Sequence, residues 1–535
     1  MEALRYVIAL VALSLTLVGC ADVRSEGVEE AAQEERPNLV IILADDLGYS
    51  DVGAYGSEIE TPNLDRLAEG GLRFRQFYNA ARCCPSRASL LTGLYPHQAG
   101  MGGMVSAVDE EREPGPYQGF LNDQSVTLAE VLGEAGYRTY MSGKWHVGER
   151  PEHWPTERGF DRYWGLISGA SSYFELIRDQ PRLRSMALDG APWTPPDSGF
   201  YMTDATSDFA IDFLEAHAEE HEEQPFFLYL AYTAPHWPLH ALPEDIAKYE
   251  GRYDAGWDSL RAERYQRMRD LGLLGEQHVL SPRPATVPTW ADADSTLEWA
   301  RRMEVYAAMI DRMDQGIGRV LAQLEAMGAD ENTLVLFLSD NGACAENIEG
   351  RNLNDPSVPI GARGSYVAYR EPWANLGSTP FRLYKSWTHE GGIATPLIAY
   401  WPQGIQTSGG FTDEVGHVAD FMATALDLAG ATYPDSANGR PITPLEGKSL
   451  APIFQGNERD GHDALFWEHF GNKAVRQGDW KLAYDARRAK QWGLYNLAED
   501  PTELNDLSEA HPEKRQELMD LYEAWAERVG VGEEE

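Results

Sequence analysis

Short apolar runs, rich in β-branched and aromatic residues, recur along the chain, and each borders polar groups able to do chemistry. Asn38-Leu39-Val40-Ile41-Ile42-Leu43-Ala44 opens onto Asp45-Asp46, and Thr333-Leu334-Val335-Leu336-Phe337-Leu338-Ser339 opens onto Asp340-Asn341-Gly342. The run 226–232 leads to Ala234-Pro235-His236, the run 138–141 leads to Gly143-Lys144-Trp145-His146, and 395–400 follows Glu390-Gly391-Gly392. Unbroken apolar runs of this length predict strands buried on both faces. Between them, helical patterns cover 62–69, 128–135, 204–217, 297–327 and 418–429. Strands alternating with helices predict an α/β fold: a mostly parallel or mixed sheet between helices, with ligands held beyond the carboxyl ends of the strands. Residues 465–469, 473–476 and 480–484 then read as short strands and 513–529 as a helix, which predicts a small antiparallel sheet carrying one helix. The chain therefore divides into a large domain over 37–445 and a C-terminal α+β subdomain over 446–535.

The first twenty residues differ from the rest. Their apolar run, 7–18, is too short for a comfortable spanning helix and ends at Leu17-Val18-Gly19-Cys20. This resembles a bacterial lipoprotein signal, with cleavage before Cys20 and lipid on its sulfur; an ordinary cleaved secretion signal is the alternative. Either reading predicts export, to the periplasm or the cell surface, and the first adds a lipid anchor. Residues 21–36, rich in Glu and Ala, predict a flexible acidic tether. Composition then bounds the partners. A formal net charge of −40 excludes a nucleic-acid-binding surface. An anionic substrate would need a local cluster of cations, because screening limits the overall field beyond roughly 8 Å.

The stretch Cys83-Cys84-Pro85-Ser86-Arg87-Ala88-Ser89-Leu90-Leu91-Thr92-Gly93 supplies such a cation beside a nucleophile. Pro85 suits a first helical position, Ser86 and Ser89 can satisfy free N–H groups there, and Gly93 suits the helix end. A cysteine just before that helix would sit where anions bind. Elsewhere, Asp45, Asp46, Asp340 and Asn341 offer four oxygen donors at strand exits. Such donors suit Ca2+ or Mg2+ and argue against zinc. Lys144 and His146, two apart, point the same way if the chain stays extended.

From Cys83 the stretch matches every fixed position of Cys-x-Pro-Ser-Arg-x-x-x-Leu-Thr-Gly, and the chain thereby resembles the type I, formylglycine-dependent sulfatases, bacterial arylsulfatases above all. Register from Cys84 fails, since Pro85 comes one place early. Gly143-Lys144-Trp145-His146, Ala234-Pro235-His236 and Lys385, five residues before Glu390-Gly391-Gly392, extend the likeness in family order over about 350 residues. The resemblance implies an alkaline-phosphatase-like core and hydrolysis of sulfate monoesters, on a small molecule or a glycan. It implies that a formylglycine-generating enzyme oxidises Cys83 to an aldehyde, whose hydrate offers one hydroxyl to attack sulfur and another to expel sulfate. It also implies one calcium ion, with Mg2+ as the substitute, held by Asp45, Asp46, Cys83, Asp340 and Asn341. Arg87, Lys144, His146, His236 and Lys385 are then catalytic alongside Cys83. A phosphonate or phosphate ester hydrolase of the same superfamily and a non-catalytic, lipid-anchored binder of sulfated glycans are the competing readings. Of four cysteines, Cys84 and Cys344 remain, as a disulfide or as free thiols.

Overall fold

The computed structural model describes residues 36–177, 184–351, 353–437 and 439–532. The leader, Cys20 and all but Arg36 of the tether lie outside the described residues. Eleven strands frame the site: β1 Asn38–Ala44, β2 Leu72–Phe74, β3 Phe77–Tyr78, β4 Arg138–Gly143, β5 Arg162–Leu166, β6 Met186–Leu188, β7 Ala191–Trp193, β8 Phe226–Ala231, β9 Thr333–Ser339, β10 Leu397–Tyr400 and β11 Gly410–Thr412. All but β3 join a ten-stranded sheet in the order β11-β2-β10-β9-β1-β8-β4-β5-β6-β7. Its centre, β9-β1-β8-β4-β5, is parallel, while β10 runs antiparallel to β9 and β6 antiparallel to β5. The sheet is thus mixed, as the alternation of strands and helices predicts.

Both faces of the central strands are buried, which is why their apolar runs do not alternate with polar residues. Val40 and Ile42 of β1, Leu228 and Leu230 of β8, and Val335 and Phe337 of β9 belong to one hydrophobic cluster. Their neighbours Leu39, Ile41, Phe227, Tyr229, Leu334 and Leu336 belong to a second cluster on the other face. Helices Met202–Glu220 and Thr296–Ala326 contribute to the first cluster, and Cys83–Thr92, Leu128–Glu134 and Asp420–Ala429 to the second. Thr127 and Glu130 cap the Leu128 helix reciprocally, Glu130 N–H donating to Thr127 Oγ1 and Thr127 N–H to Glu130 Oε2.

The tail forms a four-stranded antiparallel sheet from Leu465–His469, Asn472–Gln477, Trp480–Tyr484 and Trp492–Asn496, with helix Pro512–Val529 packed on it. Val475, Leu482, Leu494, Leu518, Tyr522 and Trp525 make its core. This sheet reaches toward the ends of the central strands. Trp467 Nε1 donates to Asn79 O at 2.8 Å, and Asn472 Nδ2 to Ser386 O at 2.9 Å.

Candidate active site

Parallel register places the acidic residues. Ala44 pairs with Ser339, so the residues that follow β1 and β9 leave the sheet side by side. Asp46 N–H donates to Asp340 Oδ1 at 3.2 Å and Asn341 Nδ2 to Asp46 Oδ1 at 2.8 Å, which locks the two exits together. Asp46 itself turns through a left-handed backbone, φ 69°. Asp45, Asp46, Asp340 and Asn341 are all buried.

Next along the sheet, β8 and β4 deliver His236 and Lys144. Gly143 takes φ 118°, and a Cβ there would lie 1.9 Å from Ala231 O, so only glycine lets β4 end against β8. Lys144 Nζ then donates to Asp45 Oδ2 at 2.6 Å. The chain does not stay extended beyond this point, because His146 adopts φ 60°. From there His146 Nε2 reaches to within 3.4 Å of Cys84 Sγ. His236 Nε2 is 3.4 Å from Asp46 Oδ2, while its Nδ1 donates to Trp237 O at 2.6 Å.

The helix runs from Cys83 to Thr92, so Cys83 is its first residue rather than a residue preceding it, and Pro85 is its third. Pro85 N is still one of the groups that lack an intrahelical acceptor, which removes the conflict. Ser86 Oγ accepts from Ala80 N–H outside the helix, and Gly93 closes it at φ 71°. From the second turn Arg87 reaches the acids: Nε and Nη2 donate to Asp340 Oδ2 at 3.0 and 2.8 Å, and Nη1 to Lys144 O at 2.9 Å. Lys385 Nζ donates to both oxygens of Asp46 at 2.6 and 2.8 Å. The Glu390-Gly391-Gly392 turn makes that loop close, since a Cβ on Gly392 would lie 2.0 Å from Trp387 O.

Three buried carboxylates thus face three buried cations, and burial is the largest influence on the acids. It pushes Asp45 well above the usual carboxylate value against the pull of Lys144, with Asp340 adding to the rise. Asp340 is also raised by burial, which outweighs Arg87 beside it. Burial holds His236 near a pKa of about 3, so it is neutral. Lys385 is opposed by burial but kept protonated by Asp46. The Cys83 thiol is lowered, first by a hydrogen bond from Cys84 and then, against burial, by Lys144, His146 and Lys385. Cys84 and Cys344 are free, buried thiols, not a disulfide.

Asp45 Oδ1 and Asn341 Oδ1 are buried and accept no hydrogen bond from the described residues. Two orphaned acceptors beside Asp45 and Asp340, both raised by burial, fit a hard cation, and the donors that would hold it are oxygens of Asp45, Asp46, Asp340 and Asn341. One donor atom each from Asp45, Asp46 and His236 lie within 4.8 Å of one another, so His236 borders the same spot.

The structure also assembles residues that the motifs did not flag. Glu346 accepts from Trp237 Nε1 at 2.7 Å, pairs with Arg82 at 2.8 Å and approaches Lys385 at 4.0 Å. Its place six residues after Asp340, at the mouth of the same strand exit, was the available signal. His469, from the C-terminal sheet, is buried with Nδ1 on Gly102 O at 3.3 Å, and it feels the charges of Arg82 and Cys83. Nothing local in its sequence marks it.

Comparison with known proteins agrees with this geometry. The family model described as Sulfatase matches residues 37–431, and the one described as N-sulphoglucosamine sulphohydrolase, C-terminal, matches 381–525. An uncharacterized sulfatase of Schizosaccharomyces pombe is 37% identical over 94% of this chain and 95% of its own length. The arylsulfatase of Klebsiella aerogenes is 35% identical over 81% of this chain and 95% of its own. Among solved structures, Ps i-CgsB in complex with k-i-k-neocarrahexaose superposes with a TM-score of 0.68 at 26% identity, covering 92% of this chain and 93% of that one.

Proposed function

The chain belongs to the sulfatase family and is a sulfatase enzyme, and from that premise we propose that it cleaves sulfate monoesters of the arylsulfatase type with a formylglycine made from Cys83 beside a bound calcium ion. One observation carries this reading: Arg87, one helical turn after Cys83, bonds Asp340, while Lys144 and Lys385 bond Asp45 and Asp46, so the signature helix, three cations and the buried acids converge at one spot. Cys83 Sγ stands where the oxygens of the aldehyde hydrate would be. Oxidation by a formylglycine-generating enzyme would supply two geminal hydroxyls, one to attack sulfur and one whose deprotonation releases sulfate. A calcium ion, when bound by Asp45, Asp46, Asp340 and Asn341, supplies positive charge that lowers the hydrate's pKa and offsets the sulfate.

The protein's own groups do the rest. Arg87, Lys144 and Lys385 are preorganised cations in a buried pocket, where their charge is little screened, and they position the sulfate oxygens with His236. Asp340, raised by burial, is the base for the attacking hydroxyl. Between the two candidates for protonating the departing alcohol, Lys385 holds a proton at neutral pH and His236 does not. His146 takes the proton whose loss lets sulfate leave and the aldehyde return. The substrates are sulfate esters of small aryl alcohols or of glycans. The lipoprotein-type leader further supports export with an anchor at Cys20, and Cys20→Ser should then move the protein from the membrane to the soluble fraction; unchanged fractionation would remove the anchor.

Mass spectrometry of the peptide spanning Ala81 to Arg87, on protein from its native source, tests the central claim. The expected mass is that of formylglycine at position 83. Cys83→Ala should fold normally yet lose essentially all turnover of an aryl sulfate, which the native protein should hydrolyse faster than a matched phosphonate monoester. An unmodified thiol in active protein would defeat the proposal.

A further inference from the structure

One buried thiol has no role in the reaction. Cys84 occupies the variable position of the signature, is fully buried, and its Sγ lies 3.4 Å from His146 Nε2. Helix geometry sets it beside Cys83, and the turn at φ 60° brings His146 over both. One donor atom each from Cys83, Cys84 and His146 lie within 4.8 Å of one another. We propose that, as long as Cys83 is still a thiol, Cys83, Cys84 and His146 form a buried site for a single thiophilic metal ion of the zinc and cadmium class.

The donor set decides the class of ion. Two sulfurs and an imidazole nitrogen suit Zn2+, Cd2+ or Cu+, whereas the oxygens of Asp45, Asp46, Asp340 and Asn341 suit Ca2+. Metal–sulfur and metal–nitrogen bonds of about 2.3 and 2.0 Å place tetrahedral donors roughly 3.5–4 Å apart, so the observed spread needs only small side-chain adjustments. Binding one divalent ion displaces the two thiol protons, and water completes the fourth position. The two sites differ in chemistry while sharing the position of Cys83.

That sharing has a consequence, which rests on the formylglycine reading. Oxidation of Cys83 removes one of the two sulfurs and leaves a single thiol and an imidazole, too few donors for tight binding. Conversion to the mature enzyme would thus switch this spot from a soft-metal site to a hard-metal one.

The test uses the full chain in two forms separated by mass, one with Cys83 unoxidised and one with formylglycine. Each is titrated with Cd2+ in the presence of excess Ca2+, with sulfur-to-cadmium charge-transfer absorption as the readout. The unoxidised form should bind one Cd2+ per chain with this absorption and the oxidised form should show none. Cys84→Ser and His146→Gln in the unoxidised form should each weaken binding by about 100-fold, at least the loss that removing an outer-shell partner causes. Cys344→Ser should bind as the parent does. Absence of the absorption in the unoxidised parent, or equal absorption in both forms, would overturn the proposal. If Cys83 proves unoxidised in the native protein, the catalytic proposal falls while the cadmium result still decides this one.

Discussion

At the scale of single residues, the site is a problem in charge compensation. Asp45, Asp46 and Asp340 sit in a buried cluster where ionisation is costly, and Lys144, Lys385 and Arg87 each neutralise one of them. Those cations cannot satisfy everything, because Asp45 Oδ1 and Asn341 Oδ1 still accept no hydrogen bond from the described residues. A hard divalent ion would engage both oxygens and free the lysines to face an anionic substrate. Calcium should therefore stabilise the fold as well as support turnover. At a free concentration a hundredfold above its Kd, the gain should be about 2.7 kcal/mol, visible as a rise in melting temperature that a chelator reverses. Turnover that survives in demonstrably metal-free protein, together with an unchanged melting temperature, would show that the oxygen cluster has been misread.

At the scale of elements, the C-terminal sheet is fastened to the catalytic loops through a buried ion cluster. Lys481 Nζ lies 2.7 Å from Glu390 Oε1 and 2.8 Å from Glu503 Oε1, and Glu390 also accepts from Tyr78 Oη at 2.9 Å. Glu390 belongs to the Glu-Gly-Gly turn that places Lys385, so this cluster links the sheet to a substrate-facing lysine. Replacing Lys481 with Met leaves two buried carboxylates without their cation and should cost about 3–5 kcal/mol, read from the urea midpoint. A loss below 1 kcal/mol would mean that the sheet is held by its apolar contacts alone. Elements of this kind also mark the limits of the sequence. The central strands were legible because both their faces are apolar, the acids, Lys144 and His236 because they follow those strands at family spacing, and Lys385 because it stands five residues before Glu390-Gly391-Gly392. Helix Gly256–Asp270 was not legible, since its buried face includes Arg261 and Arg264, with Arg264 paired to Asp51 and Glu58, rather than a stripe of apolar residues. Strand Trp492–Asn496 escaped notice because Gly493 interrupts its apolar run. His469 enters the site only through tertiary packing, Glu346 is marked only by its distance from Asp340, and the bend at His146 depends on its own left-handed backbone.

At the scale of the molecule, a chain of net charge −40 carries histidines that must stay neutral to remain buried. His240 Nε2 donates to Ser365 O at 2.6 Å while its Nδ1 accepts from Tyr173 N–H at 3.3 Å, a pattern only the neutral ring can make. His417 Nδ1 likewise accepts from Ala419 N–H at 3.2 Å. Burial lowers both to a pKa of about 4. Between that value and the ordinary 6.5, the unfolded chain binds protons that the folded protein refuses, so stability is complete above pH 6.5 and declines as pH falls toward 4. At pH 5 each ring should cost about 2 kcal/mol. Most surface carboxylates are still ionised there, so relief of their mutual repulsion cannot offset the loss until lower pH. Urea midpoints taken from pH 7 to pH 5 with calcium saturating should therefore fall, and His417→Gln should flatten part of that decline. A constant midpoint across this range would mean that these rings accept protons in the folded state, which their hydrogen-bond partners forbid.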